Sequence, residues 1–100
     1  MAQGGFETEP QAVLDYVDEA LETLDVDKEN KIRQRAINLA NKGMCEYPMN
    51  YHRKVTTAGA VYLSCLLGSR KRTQEEVADA LDVSPLSVRG SYADLRDNYL

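Results

Sequence analysis

The stretch KRTQEEVADALDVSPLSVRGSYADL, Lys71–Leu95, decides the fold, because its caps and spacings specify two helices joined by a tight turn. Thr73 and Glu76 form a capping box: the Thr73 hydroxyl accepts from the Glu76 amide, and the Glu76 carboxylate accepts from the Thr73 amide. A helix therefore starts at Thr73, and Val77, Ala78 and Leu81 share one of its faces. Asp82 and Val83 break the pattern. Asp82 stands where such turns often carry a left-handed glycine, a conformation Asp tolerates better than most residues. Ser84 then supplies a cap, and Pro85 the first position of a second helix, where a missing N–H costs nothing. That helix is expected to bury Val88, Tyr92 and Leu95 and to present Leu86, Ser87, Arg89, Gly90 and Ala93 on its other face.

One long cation among short residues makes a face that can enter a groove. A guanidinium near the start of the second helix of a helix-turn-helix can pair bidentately with guanine O6 and N7 in the major groove, which makes Arg89 the candidate base contact. Arg70, Lys71 and Arg72 lead into the first helix and are candidates for phosphates, which set affinity and orientation while base contacts set preference. A second reading stays open at this point: Arg89 as a solvated charge on a packed corner, and the three cations as a solubilising turn.

The rest of the chain bounds these readings. One hundred residues, 43% of them hydrophobic, make a single small domain. The net charge of −4 is uneven: residues 1–50 hold five Lys or Arg against ten Asp or Glu, and residues 51–100 hold seven against six. No stretch reads as a membrane span or signal peptide, so a cytoplasmic protein with no membrane partner is expected. Cys45, Cys65 and His52 match no zinc or redox spacing, and no nucleophile, paired-carboxylate or phosphate-loop signature stands out. A non-enzymatic chain without metal or cofactor is the expectation.

Residues 1–7 lack periodicity and read as a flexible arm, leaving residues 8–100 as the domain, with the helix-turn-helix at about residues 73–97. Thr8 and Gln11 suggest another capping box, opening a helix whose Val13, Leu14, Val17, Ala20, Leu21 and Leu24 repeat at the helical period. Its outward Asp15, Asp18, Glu19 and Glu22 form an acidic face. Asp27 is expected to cap a second helix with Ile32, Ala36, Leu39 and Ala40 inward, Lys28, Lys31, Arg35 and Lys42 outward, and Gly43 as its stop. Met44 to Arg53 reads as an aromatic-anchored loop, and a central helix from Val55 carries Ala58, Gly59, Tyr62, Cys65 and Leu66 as an apolar stripe ending at Gly68. Tyr62 and Tyr92 fall on apolar faces and read as core. The sum is an all-α, five-helix bundle around the central helix.

The run AVYLSCLLGSRKRTQEEVADALDVSPLSVRGSYADL, Ala60–Leu95, resembles the C-terminal part of a cyclin-like repeat of the transcription initiation factor B (IIB) family of archaea and eukaryotes. The carriers are Val61-Tyr62-Leu63, the basic turn before Arg72-Thr73-Gln74, Glu76-Val77-Ala78, and Ser84 followed by Val88-Arg89 and Tyr92. The resemblance implies a cyclin-like bundle ending in a helix-turn-helix that reads double-stranded promoter DNA, with the TATA-binding protein as a further partner. It also implies Arg89 as a base contact, Leu86 as an apolar contact for a thymine methyl, and Lys71, Arg72 and Thr73 at the DNA backbone. His52-Arg53-Lys54-Val55 replaces the family's usual Gly-x-x-Pro before the central helix. The chain holds one repeat without the family's zinc ribbon, and the expectation is a monomeric single-repeat relative or an excised domain.

Two competing functions give different expectations. A protein-interaction adaptor of cyclin-like fold without DNA contact would depend on Asp15, Asp18 and Glu22 and not on Arg89. A dimeric helix-turn-helix repressor would sediment as a dimer.

Overall fold

The computed structural model describes residues 9–26, 31–45, 53–68 and 70–99. They form five helices, with no strand among the described residues: α1 (Glu9–Thr23), α2 (Lys31–Cys45), α3 (Arg53–Leu67), α4 (Gln74–Leu81) and α5 (Pro85–Tyr99). None is long and apolar enough to cross a membrane. The expected Thr8 and Asp27 caps, the outward position of Lys28 and the aromatic loop at Tyr47 and Tyr51 lie outside the described residues.

The helix α3 is the axis of the bundle and packs against all four others. Thr56 to Val61 are buried without interruption, as are Leu63, Ser64 and Cys65. A surface helix would bury one stripe; this one is enclosed on nearly every side, and only small residues let four neighbours come that close. At the α3–α5 crossing, a Cβ built on Gly59 would stand 2.1 Å from Ser91 Oγ and 2.7 Å from the Tyr92 amide nitrogen. Ser91 uses the same closeness to donate across the crossing to the Val55 carbonyl, 2.9 Å away. Gly68 is small for the same kind of reason, since its Cβ would meet Ile32 of α2 at 2.5 Å.

The α1 periodicity behaves as expected at Val13, Val17, Ala20, Leu21 and Leu24, which are buried, while Leu14 is only half-buried at the edge of the core. Burying each Val or Leu side chain is worth about 1.5–3 kcal/mol, so this stripe holds α1 to the bundle. Two features depart from expectation. Gly43 does not end α2; it lies buried within the helix, which continues to Cys45, so Met44 and Cys45 are helical and not loop. Arg53 likewise belongs to α3, which starts two residues before Val55.

Helices α1 and α4 stop in the same way. Asp25 (φ 60°) and Asp82 (φ 57°) are both left-handed. After each, a valine amide reaches back to the helix, Val26 to the Leu21 carbonyl at 2.8 Å and Val83 to that of Ala78 at 3.0 Å. The aspartate amides bond to Glu22 and Asp79, completing Schellman motifs with Asp in the usual glycine position.

Candidate nucleic-acid interface

The two helices of the motif are set by local hydrogen bonds. The capping box at α4 is complete: Thr73 Oγ1 accepts from the Glu76 amide at 3.0 Å, and Glu76 Oε1 accepts from the Thr73 amide at 2.8 Å. Left-handed Asp82 turns the chain, and Ser84 Oγ accepts from the Ser87 amide at 3.1 Å to start α5, with Pro85 as its first residue. Helix α5 then buries Val88, Ser91 and Leu95 completely and Tyr92 in part. Ser91 is the addition to the expected set, and its hydroxyl is the hydrogen-bonded centre of the α3 crossing.

This burial fixes which way α5 faces. Leu86 is 76% exposed, Arg89 is exposed, and Ser87 and Gly90 are half-buried between them. The four expected residues of the second helix thus share its first two turns and one outward region. Leu86 and Arg89 thus stand open to solvent together at the start of α5.

The other four expected residues lie on the approach to α4 and divide into two kinds. Arg70 and Lys71 are exposed. Arg72 is half-buried, and its guanidinium donates through Nε to the Leu24 carbonyl at 3.0 Å and through Nη1 to the Lys71 carbonyl at 3.0 Å. It caps the end of α1 and ties that end to the motif, a role its place in a basic run did not reveal. Thr73 is committed to the capping box through both its amide and its hydroxyl. The turn is pinned at its other end by the Arg70 amide, which donates to the Cys65 carbonyl at 2.9 Å. Arg70 and Lys71 are therefore carried on a fixed stretch of backbone.

A hollow of about 490 Å³ opens beside this turn, lined by Tyr62, Lys71, Arg72, Thr73, Gln74 and Glu75. Glu75 and Glu76 suit the positive end of α4 but weaken it as an anion site, so the cationic side chains and not the helix end are what a phosphate would meet. Tyr62 packs edge-on against Tyr92 at 4.8 Å, and Arg96 lies over the Tyr92 ring at 5.2 Å while Nη1 donates to the Tyr92 hydroxyl. The Tyr92–Arg96 spacing of four on a helix is the sequence signal for this contact.

Two further groups have settled roles. Burial pushes the Cys65 thiol up to about 11, against a smaller pull downward from Arg72, so it is a protonated core group. Asp18, expected on an open acidic face, is paired with Arg33 of α2, Nε to Oδ1 at 2.7 Å and Nη2 to Oδ2 at 3.3 Å. That bidentate pair joins α1 to α2 and offsets the Asp18 charge on the half-buried edge of the acidic face.

The family description "Transcription factor TFIIB repeat" matches residues 7–98. The chain is 29% identical over 94 residues to the Transcription initiation factor IIB of Methanoculleus marisnigri, covering 93% of this chain and 27% of that protein. It is 33% identical over 89 residues to that of Pyrococcus horikoshii, covering 81% of this chain and 27% of that protein. Over 43 residues it is 44% identical to Transcription initiation factor IIB 2 of Saccharolobus solfataricus, covering 43% of this chain and 15% of that protein. The chain spans about a quarter or less of the length of these curated relatives.

Proposed function

We infer that this chain, which belongs to the transcription factor TFIIB repeat family and has its cyclin-like helical fold, is a transcription initiation module that reads promoter DNA through α5. The observation that carries the reading is the outward pair at the start of α5: an exposed Arg89 and a Leu86 left 76% open to solvent. With α5 in the major groove, Arg89 donates two hydrogen bonds to one guanine edge, and Leu86 covers a thymine methyl. Arg70 and Lys71, on their pinned turn, neutralise backbone phosphates beside the groove. In this reading Arg72 and Thr73 lie at the DNA backbone chiefly as the residues that hold that turn and the α4 cap in place. The domain acts as one unit from residue 8 to residue 100, as a monomer, with the TATA-binding protein as its second partner.

The test is a fluorescence-anisotropy titration on a TATA-containing duplex with a purine-rich upstream flank, with and without TATA-binding protein. Arg89→Ala should weaken binding by about 1–3 kcal/mol and blunt discrimination against a scrambled flank. Leu86→Ala should reduce the same discrimination with no loss of thermal stability, because the side chain is already in water. Equal binding by wild type and both variants would remove the reading, and dependence on Asp15 or Glu22 in its place would favour a protein-docking role.

A further inference from the structure

The acidic half of the chain contains one strongly basic element. All five Lys or Arg residues of positions 1–50 fall between Lys28 and Lys42, and described helix α2 holds four of them with no Asp or Glu. Arg33 turns toward α1 and is paired with Asp18. Lys31, Arg35 and Lys42 lie instead with Gln34 and Asn38 along a depression of about 370 Å³, whose floor includes buried Leu39.

We propose that this outer face of α2 is a second surface for duplex DNA, holding phosphates through Lys31, Arg35 and Lys42 and accepting no base information. From residue 31 to residue 42 a helix advances about 16 Å, at 1.5 Å per residue. A duplex carries one charge per about 1.7 Å of its axis counted over both strands, so a cationic face of that length spans several phosphates. Gln34 and Asn38, exposed and bonded to each other at 3.2 Å, add amide N–H groups of the kind that position a backbone.

The chemistry favours a nucleic-acid backbone over an acidic protein. A protein interface is built round a desolvated apolar or aromatic anchor. Among the described residues, the exposed large hydrophobics are Leu67 and Leu86, and neither is on α2. The α2 face thus has charge and donors without an anchor, and a polyanion needs nothing more. Helices α2 and α5 both pack on α3 and scarcely touch each other, so the two surfaces are separate and engage different stretches of backbone. The proposal stands independently of base reading by α5.

The experiment measures binding of the whole chain to a short scrambled duplex across a salt series, and to poly-L-glutamate, for wild type, the triple variant Lys31→Gln/Arg35→Gln/Lys42→Gln, and Arg89→Ala. All are first checked for wild-type circular dichroism. Each phosphate contact contributes about 0.9 to the slope of log affinity against log salt, so the triple variant should lower the slope by up to about 2.7 and weaken duplex binding at least tenfold. A slope and affinity unchanged from wild type would overturn the proposal, as would a wild type with no salt-dependent duplex binding. Loss of poly-L-glutamate binding with duplex binding intact would also overturn it, assigning the face to an acidic protein. Failure of base reading shows separately, by adding the duplex with the purine-rich flank to the series, as an Arg89→Ala protein that prefers it over the scrambled duplex as strongly as wild type does.

Discussion

Replacing Gly59 by alanine pits helix propensity against packing, and the two predict opposite signs. Gly59 is interior to α3, where alanine is intrinsically better by about 1 kcal/mol. At this crossing, however, the new Cβ would lie 2.1 Å from Ser91 Oγ, 2.7 Å from the Tyr92 nitrogen and 2.8 Å from the Ser91 carbonyl carbon. The hydroxyl can rotate away only by giving up its 2.9 Å bond to Val55, worth about 0.5–1.5 kcal/mol. The backbone atoms have no such freedom, and α3 and α5 must separate by about 0.7 Å to reach ordinary carbon contact. Overpacking of this kind costs about 1–3 kcal/mol. Subtracting the propensity gain leaves a net loss of about 0.5–3.5 kcal/mol, or a fall in Tm of roughly 2–28 °C for a domain of this size. Thermal and urea denaturation followed by circular dichroism measure it. A second variant, Gly59→Ala/Ser91→Gly, should recover only part of the loss, because the Tyr92 amide remains in the way. An unchanged or raised Tm for Gly59→Ala would refute the close crossing and, with it, the orientation assigned to α5.

Other outcomes follow from single interactions. Thr73→Ala removes the hydroxyl acceptor of the α4 capping box and should cost about 1 kcal/mol in urea denaturation. Arg72→Gln breaks the link to the Leu24 carbonyl and should lower stability by about 1 kcal/mol while leaving the salt slope of DNA binding unchanged. Arg70→Gln should do the reverse, reducing the slope by about 0.9 without changing Tm. For Cys65, the thiol titrates near 9.0 in an open environment and about 11 in the fold. Between those values the unfolded chain releases a proton that the folded chain keeps, so the contribution of Cys65 to stability is full below about pH 9 and is lost as pH rises toward 11. Comparing Tm against pH for Cys65→Val and a chain retaining Cys65, both in a Cys45→Ala background, isolates this effect; parallel curves would contradict it.

Much of the fold is legible in the sequence where structure is decided locally. The Thr73–Glu76 box, the Ser84–Pro85 start and the tolerance of Asp82 for a left-handed turn are each contained in four or five residues, and each appears as expected. The five-residue set at Val13, Val17, Ala20, Leu21 and Leu24 needs only the helical period. Contacts between distant segments were not legible. Nothing near Gly43 distinguishes a glycine that ends a helix from one buried inside it, since packing decides which. Arg72 reads as one of three equivalent cations until the end of α1, 48 residues away, supplies an acceptor for it. Asp18 likewise reads as solvated until Arg33 is placed opposite. For the candidate interface the same division holds. The outward face of α5 follows from its period, while the separation of Arg70 and Lys71 from the structural Arg72 and Thr73 needed the hydrogen bonds.

Base reading by Arg89 is the central claim, and the most direct test keeps its charge while removing its geometry. Enrichment of bound duplexes from a randomised pool should be carried out with wild type and with Arg89→Lys, since a lysine neutralises the same phosphate field but replaces the rigid planar fork with a flexible ammonium that holds guanine O6 and N7 less selectively. The wild type should enrich a motif with a fixed guanine, and Arg89→Lys should lose that position by about 1–3 kcal/mol of discrimination while its salt slope and affinity for the unselected pool stay the same. Enrichment of the same guanine by both proteins with undiminished preference, or of no motif by either, would contradict the assignment of Arg89 and of α5 as the reading helix.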